Sequence, residues 1–292
     1  MSEKIGIGRA HSKIILMGEH SVIYGFPAIA LPLKDIEVVC RIKKAKKKLQ
    51  FDFYDTLSTA IYAALDYLQI KEKPISYEIV SQVPQKRGMG SSAAVSIAAI
   101  RAVFSYFEED LSDELLEILV NKAEIIAHTN PSGLDAKTCL SDYAIKFIRN
   151  IGFETLAIDL NAYLVIADTG IHGHTREAVN KVAKYEESNL PYLTLLGNLT
   201  DKVEKAITLK DKVSIGFYMN EAHQALKAIG VSVNKANQLV DLAVANGALG
   251  AKMSGGGLGG CIIALVDNEE KAKMISKKLI EEGAVNTWIQ KL

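Results

Sequence analysis

The sequence predicts an α+β protein of two domains, and three observations lead to that prediction. The chain has 292 residues, which is long enough for two domains or for one elaborated domain. Apolar residues recur with the two-residue period of strands and with the 3.6-residue period of helices in the first half. From the stretch 168–175 onward the pattern changes to helices with a few strands. We therefore predict domains at 1–166 and 167–292.

The first predicted domain consists of apolar strands followed by helices. Strands are predicted at 5–9, 13–17, 28–33, 36–42, 49–54 and 75–83, and later at 143–148 and 163–167. Helices are predicted at 56–68, 91–107 and 112–128. The last helix should stop near His128, because the residue before Pro131 disfavours helical backbone. A polar turn at 130–135 then delivers one carboxylate, that of Asp135.

The second predicted domain consists mainly of helices. They are expected at 175–187, 191–208, 213–229, 233–245 and 268–282. Strands at 248–254 and 261–266 flank the glycine run 255–260, and a strand at 284–289 ends the chain. Helices that alternate with strands of one sheet favour a ferredoxin-like α+β layer.

The composition excludes several classes of protein. Lysine plus arginine and aspartate plus glutamate both total 34, so nothing predicts a surface for nucleic acid or for an anionic membrane. No signal peptide or membrane-spanning stretch is recognisable. The three cysteines are widely separated in apolar stretches and are expected to be reduced core residues. We therefore expect a cytoplasmic protein.

The stretch 83–94, VPQKRGMGSSAA, joins a glycine-punctuated turn to the start of a helix. Its glycines permit positive φ angles and close approach of a ligand, and Ser91 is expected to cap the helix. The free N–H groups and the dipole of such a helix favour a phosphate, and Lys86 and Arg87 add full positive charges. The stretch is not a P-loop, because no GK[ST] follows the glycines. An ordinary glycine turn remains the alternative.

Four segments together resemble one family. They are KIILMGEHSVIYG at 13–25, PQKRGMGSSAA at 84–94, HTNPSGLD at 128–135 and KMSGGGLGGC at 252–261. In this order they resemble the GHMP kinases, most closely the mevalonate kinase branch. The resemblance implies an N-terminal α+β domain with a left-handed βαβ unit, a C-terminal ferredoxin-like domain and an active site in the cleft between them. It also implies ATP-dependent phosphorylation of the C5 hydroxyl of (R)-mevalonate in isoprenoid synthesis.

The resemblance also implies where ATP and Mg²⁺ bind. Mg²⁺ would be held by Ser92, or less favourably Ser91, and by Glu124, which lies eleven positions before Asp135. A serine and a glutamate suffice, because Mg²⁺ keeps phosphate oxygens and waters as its other ligands. Helix capping by the serines and a solvated Glu124 are the alternatives. The nucleotide would lie over Pro84, Lys86, Arg87, Gly88, Met89, Gly90, Ser91, Ser92 and Ala93.

Asp135 and Lys13 are the catalytic candidates that the resemblance implies. An ordinary carboxylate is far too weak a base to deprotonate a free alcohol, so Asp135 must accept the proton late, as the bond to the phosphoryl group forms. Lys13 would keep that carboxylate ionised and stabilise charge on the transferring group. A turn aspartate and a strand-end surface lysine are the alternative interpretations.

The substrate would meet Glu19, His20, Asp135, Thr175 and Gly256. A hydrogen-bonded structural histidine is the alternative for His20, a helix N-cap for Thr175, and a plain glycine hairpin for the third motif. Two other functions stay open at this point. One is a related kinase for another acceptor, chiefly phosphomevalonate, and the other is a non-catalytic ligand sensor. A homodimer is also considered.

Overall fold

The computed structural model describes residues 4–47, 49–52, 55–71, 74–127 and 133–292. The chain forms two compact units that interleave along the sequence. Unit 1 comprises Met1–Lys13, Pro32–Gln85 and Gly90–Asp142, and unit 2 comprises Ile14–Leu31, Lys86–Met89 and Tyr143–Leu292. The predicted mixed α+β class is confirmed, and the predicted domain limits remain a prediction.

Unit 1 contains strands covered by helices. The outer part of β2 pairs antiparallel with β3, with Val38 opposite Ser81 and Lys44 opposite Ile75. Helix α1 begins after Asp55, whose carboxylate accepts a hydrogen bond from the Ser58 N–H and so caps the helix. The elements are β1 (Ile5–Met17), β2 (Ala28–Lys44), α1 (Thr56–Tyr67), β3 (Ile75–Ser81), α2 (Ser91–Phe107), α3 (Asp113–Ala127) and α4 (Leu134–Leu140); β1 and β2 also contribute residues to unit 2.

Unit 2 contains a four-stranded antiparallel sheet with the strand order β7-β8-β6-β9. Along the chain, β6 is followed by helices, then by β7 and β8, then by α9 and β9. This order is the ferredoxin-like arrangement that the sequence predicts. Its elements are a 3₁₀ helix (Ser21–Tyr24), β4 (Ala144–Ile148), β5 (Gly152–Leu156), β6 (Tyr163–Asp168), α5 (Thr175–Lys184), α6 (Glu186–Thr208), α7 (Lys212–Ala228), α8 (Asn234–Ala245), β7 (Gly250–Ser254), β8 (Cys261–Val266), α9 (Glu269–Glu281) and β9 (Asn286–Lys291).

Several predicted boundaries are wrong for identifiable reasons. The strands predicted at 5–9 and 13–17 form the single strand β1, because Ala10, His11 and Ser12 between them continue the alternation of buried and less buried side chains. Helix α6 begins five residues before Pro191, which removes one backbone donor but leaves the remaining turns intact. Residues 49–52 form no strand, and the strand β5 was not predicted. Residues 130–132 of the turn predicted at 130–135, and the predicted helix end at residue 128, lie outside the described residues.

Among the residues that the structure describes, no helix has both the length and the apolar character needed to cross a lipid bilayer.

Candidate active site

The start of α2 in unit 1 carries part of the predicted nucleotide loop. Gly90 is the N-cap residue, with φ 70° and ψ 29°, and no side chain caps the helix. The expectation that Ser91 is the cap is therefore wrong, since Ser91 is already the first helical residue. The first N–H groups of a helix have no partner within the helix, and the helix dipole is positive there. This end of α2 therefore suits an anion.

Ser92 and Glu124 meet inside unit 1, as the sequence predicts for a metal pair. The Ser92 hydroxyl donates to Glu124 Oε1 over 2.7 Å and lies 3.2 Å from Thr56 Oγ1. The Glu124 side chain is buried. The alternative interpretation of Glu124 as a solvated carboxylate on the helix face is therefore wrong. Hydroxyl and carboxylate oxygens are the donors that Mg²⁺ prefers, so this pair fits the ion.

Lys13 and Asp135 form an ion pair in unit 1. Lys13 Nζ lies 2.6 Å from Asp135 Oδ1. The lysine side chain is only 2% exposed, whereas the aspartate side chain is 47% exposed. Asp135 occupies the first turn of α4, a short helix that follows Gly133, so it is not the turn residue that the sequence predicts. The Asp135 carboxylate is thus accessible to solvent, while the buried Lys13 ammonium group holds it in place.

Gly90 and Cys139 bring these two pairs into one cluster. A Cβ atom on Gly90 would lie 2.8 Å from Lys13 Cγ and 3.2 Å from Cys139 Sγ. Burial raises the pKa of the Cys139 thiol, and the nearby charges of Asp135 and Glu124 raise it further while Lys13 lowers it. The thiol therefore lies close enough to Asp135 and Glu124 for both carboxylates to influence its pKa. Cys139 is a core residue here, as the sequence predicts.

Unit 2 contains a cavity of about 110 Å³ whose wall is mostly main chain. The loop segment at 86–89 lies against the stretch 168–175, because the Gly173 N–H donates to the Lys86 carbonyl oxygen over 2.8 Å, and it also lies against the third motif. A Cβ atom on Gly255 would lie only 2.9 Å from Gly88 Cα, so the two backbones touch. The lining residues are Lys86, Gly88, Gly173, Thr175, Ser254, Gly256, Gly257, Gly259 and Gly260.

Arg87 makes an internal ion pair instead of offering its charge to solvent. Its Nε donates to Asp168 Oδ1 over 2.6 Å, and both side chains are nearly buried. Its Nη2 donates to the Gly170 carbonyl oxygen. The charge of Arg87 is thus paired within unit 2, and its contact with a nucleotide remains a prediction. Asp168, at the end of β6, is the partner that the sequence analysis missed.

His20 is the centre of a strained turn in unit 2. Its φ of 62° and ψ of −47° are those of a classic γ-turn, and the Ser21 N–H donates to the Glu19 carbonyl oxygen over 2.7 Å. Such a backbone costs about 1–3 kcal/mol and persists only where its surroundings hold it. Strain of this kind is typical of functional sites, which favours the functional interpretation of His20.

The His20 imidazole is held by the third motif. Its Nε2 lies 2.9 Å from the Gly256 carbonyl oxygen, so Nε2 carries the proton and donates. Burial lowers the pKa of His20 to about 4, and the ring is therefore neutral near pH 7. Its Nδ1 is a buried acceptor for which the described residues provide no donor.

Lys252 forms a fully buried ion pair with Glu19. The exposed fraction is 0% for the lysine side chain and 1% for the glutamate side chain. Lys252 Nζ also donates to the Met253 carbonyl oxygen over 2.8 Å. Burial lowers the pKa of Lys252, and the Glu19 charge opposes that effect. Lys252 belongs to the third motif, but the sequence analysis gave it no role.

A second buried histidine lies beside this ion pair. The Met253 N–H donates to His223 Nδ1 over 3.3 Å. Burial lowers the pKa of His223 to about 4, and the charge of Lys252 lowers it as well. His223 is thus also neutral near pH 7.

The remaining predicted residues are divided between the units: Pro84 and Ala93 belong to unit 1, and Met89 and Thr175 to unit 2. Thr175 is the first residue of α5, not its N-cap, and a Cβ atom on Gly256 would lie 2.3 Å from Thr175 Oγ1. Pro84 follows β3 and is partly exposed, whereas Met89 and Ala93 are buried. Within the described parts of the chain, no group of three His, Cys, Asp or Glu side chains is placed to bind a metal ion.

Comparisons with known proteins point to one family. The family profile described as GHMP kinases N terminal domain matches residues 56–142, and the profile described as GHMP kinases C terminal matches residues 203–285. A protein named mevalonate kinase from Pyrococcus furiosus is 34% identical over 91% of this chain and 90% of its own length.

Solved structures agree with the sequence matches. The crystal structure of L. major mevalonate kinase in complex with R-mevalonate superposes with a TM-score of 0.86 at 26% identity, covering 100% of this chain and 96% of that one. The structure of Methanococcus jannaschii mevalonate kinase gives a TM-score of 0.83 at 27% identity, covering 100% and 99%.

Proposed function

The chain belongs to the GHMP kinase family, in its mevalonate kinase branch, and from this membership we propose that it transfers the γ-phosphoryl group of ATP to the C5 hydroxyl of (R)-mevalonate. The observation that carries the proposal is the Lys13–Asp135 pair, in which a buried ammonium group holds a half-exposed carboxylate. A protein that only binds ligands needs no such proton acceptor. A reaction between ATP and an alcohol does need one.

Asp135 accepts the proton of the attacking hydroxyl. Its affinity for a proton is far below that of an alkoxide, so transfer occurs late, when the new oxygen–phosphorus bond makes the hydroxyl acidic. Lys13 keeps the carboxylate oriented, since its own ammonium group is buried and has few other conformations. Lys13 also offers positive charge to the phosphoryl group during transfer.

The first turn of α2 binds the phosphates of ATP. Its uncapped N–H groups and the dipole of the helix favour a polyanion. Ser92 and Glu124 are the residues that would hold Mg²⁺, and their oxygen donors fit that ion. When bound, Mg²⁺ neutralises negative charge on the phosphates. The remaining predicted nucleotide contacts, from Pro84 to Ala93, are part of the same proposal.

Glu19, His20, Thr175 and Gly256 bind the acceptor substrate in this proposal. The buried, neutral imidazole of His20 supports that role, because its Nδ1 is an acceptor that a substrate hydroxyl satisfies. Thr175 and Gly256 line the same cavity in unit 2. A cytoplasmic location and a homodimer complete the proposal.

The reaction is tested by measuring ADP release with four acceptors in parallel. We expect turnover with mevalonate and none with phosphomevalonate, galactose or homoserine. Release with phosphomevalonate alone would contradict the acceptor, and no release with any alcohol would contradict the enzyme.

The role of Asp135 is tested by Asp135→Asn. This change keeps the shape of the side chain but removes its capacity to take up a proton, so we expect kcat to fall about 10²- to 10⁴-fold. Asp142, an exposed carboxylate in the same unit paired with Lys34, provides the control, and Asp142→Asn should leave kcat unchanged. A kcat near that of the wild type in Asp135→Asn, with both substrates still bound, would refute the assignment.

A further inference from the structure

We propose that Lys252 is a positioning residue for the acceptor alcohol, holding the γ-turn at His20 through its buried ion pair with Glu19. This inference rests on the function proposed above for Glu19 and His20. Lys252 itself has no role in that proposal. The ion pair and the turn lie entirely within unit 2.

The first argument is the strain of the turn. A non-glycine residue adopts the backbone angles of His20 only where neighbouring contacts fix the chain on both sides. The backbone bond from Ser21 to Glu19 closes the turn but does not hold it against the rest of unit 2. The Val22 N–H also donates to the Gly18 carbonyl oxygen, but that bond is local as well. The side chains of Glu19 and His20 attach the turn to a distant segment of the chain.

The second argument is that one segment provides both attachments. Lys252 binds the Glu19 carboxylate, and four residues later the Gly256 carbonyl accepts a hydrogen bond from His20. Two neighbouring residues of the turn are thus fixed by the end of β7 and by the glycine run that follows it. Gly256 also lines the cavity of unit 2, so a shift of the turn would move part of the cavity wall.

The third argument concerns the ion pair itself. A buried ion pair adds little stability compared with apolar side chains of similar volume, because both charges lose their hydration. Stability alone is therefore a weak reason to bury Lys252 and Glu19 together. An orienting role accounts for the pair, since an ammonium group restricts where the carboxylate lies.

The test uses Lys252→Met and the double variant Glu19→Gln with Lys252→Met. The double variant removes both charges, so it avoids the unpaired buried carboxylate that Lys252→Met leaves, which opposes folding. Lys146→Met is the matched control, because it breaks another partly buried ion pair of unit 2, with Glu204. Each folded protein is assayed for kcat and for the KM values of mevalonate and ATP.

We expect the KM for mevalonate to rise about 10- to 100-fold in Lys252→Met, with the KM for ATP little changed. Because Glu19 itself belongs to the proposed acceptor site, the double variant is judged by the titration of His20 described below. Lys146→Met should change neither KM value. An unchanged KM for mevalonate in folded Lys252→Met would overturn the proposal. Equal rises in both KM values would also overturn it, because they indicate general disruption of unit 2.

A second readout does not depend on turnover. The imidazole of His20 is titrated by NMR, with its signal assigned from the spectrum of His20→Gln. Burial lowers the pKa of His20, the bond to the Gly256 carbonyl opposes that effect, and no charged group is among the causes. Removing the charge of Lys252 should therefore leave the pKa near 4 unless the turn moves.

We expect the pKa of His20 to rise toward about 6.5 in Lys252→Met and in the double variant, because a released turn exposes the ring. A pKa that stays near the value of the wild type would overturn the proposal. If the wild type fails to phosphorylate mevalonate, the proposed function is wrong, whereas this titration still decides whether Lys252 holds the turn.

Discussion

Gly90 is the residue at which a single added methyl group should damage both folding and catalysis. Alanine at this position must adopt φ 70°, which costs about 1–2 kcal/mol for a residue with a side chain. Its Cβ would also lie 2.8 Å from Cγ of Lys13, a side chain that is only 2% exposed and has little room to move. Overpacking of this kind costs about 1–3 kcal/mol. We expect Gly90→Ala to lose about 2–5 kcal/mol of unfolding free energy.

The same methyl group displaces Lys13 from Asp135. A displacement of about 1 Å at a catalytic group lowers turnover about 10²-fold, so kcat should fall by that factor. The measurements are urea unfolding and the rate of ADP release with saturating mevalonate and ATP.

Gly247→Ala is the matched control for this prediction. Gly247 has φ 92°, but its nearest neighbour atom, in the Lys271 side chain, is 3.6 Å from the added Cβ. Alanine at this control position also adopts an unfavourable positive φ, but its Cβ does not clash. We therefore expect Gly247→Ala to lose about 1–2 kcal/mol of unfolding free energy, with kcat unchanged. Equal losses of stability in the two variants, with kcat preserved in Gly90→Ala, would refute the packing argument.

Two further predictions concern the metal and pH. Glu124→Gln should raise the Mg²⁺ concentration for half-maximal activity at least about tenfold, because a ligand charge is lost; an unchanged Mg²⁺ requirement would contradict the metal assignment. Folding should weaken in acid, since His20 and His223 have pKa values of about 4 when folded, so the unfolded chain binds more protons between about pH 6.5 and 4. Urea unfolding at pH 7.5 and pH 5 should show a loss of about 2 kcal/mol per histidine. The loss should be smaller in His20→Asn, and equal stability at both pH values would contradict the burial argument.

The two pairs of unit 1 were predicted through the family resemblance, which relates residues of separate motifs to one another. Lys13 with Asp135 and Ser92 with Glu124 were expected together and do meet in unit 1. Their catalytic and metal-binding roles remain proposals.

The partners of Arg87 and Glu19 were not predictable in the same way. Arg87 pairs with Asp168 and Glu19 with Lys252, over separations of 81 and 233 residues. The spacing of residues along the chain does not indicate which charged side chains meet in the folded protein. The sequence analysis therefore assigned Arg87 and Glu19 to ligand binding and gave Asp168 and Lys252 no role. The γ-turn at His20 escaped notice for a related reason, since positive φ is expected at glycine rather than at histidine.

The glycine-lined cavity of unit 2 has a consequence for how the protein varies. A wall made of peptide groups has no side chain that mutation can exchange for a longer, shorter or differently charged one. Any replacement of Gly256, for example, adds atoms where Thr175 already stands. Under the proposed function, changes in acceptor preference are therefore expected at the few lining positions with side chains, such as Lys86, Thr175 and Ser254, rather than at the glycines.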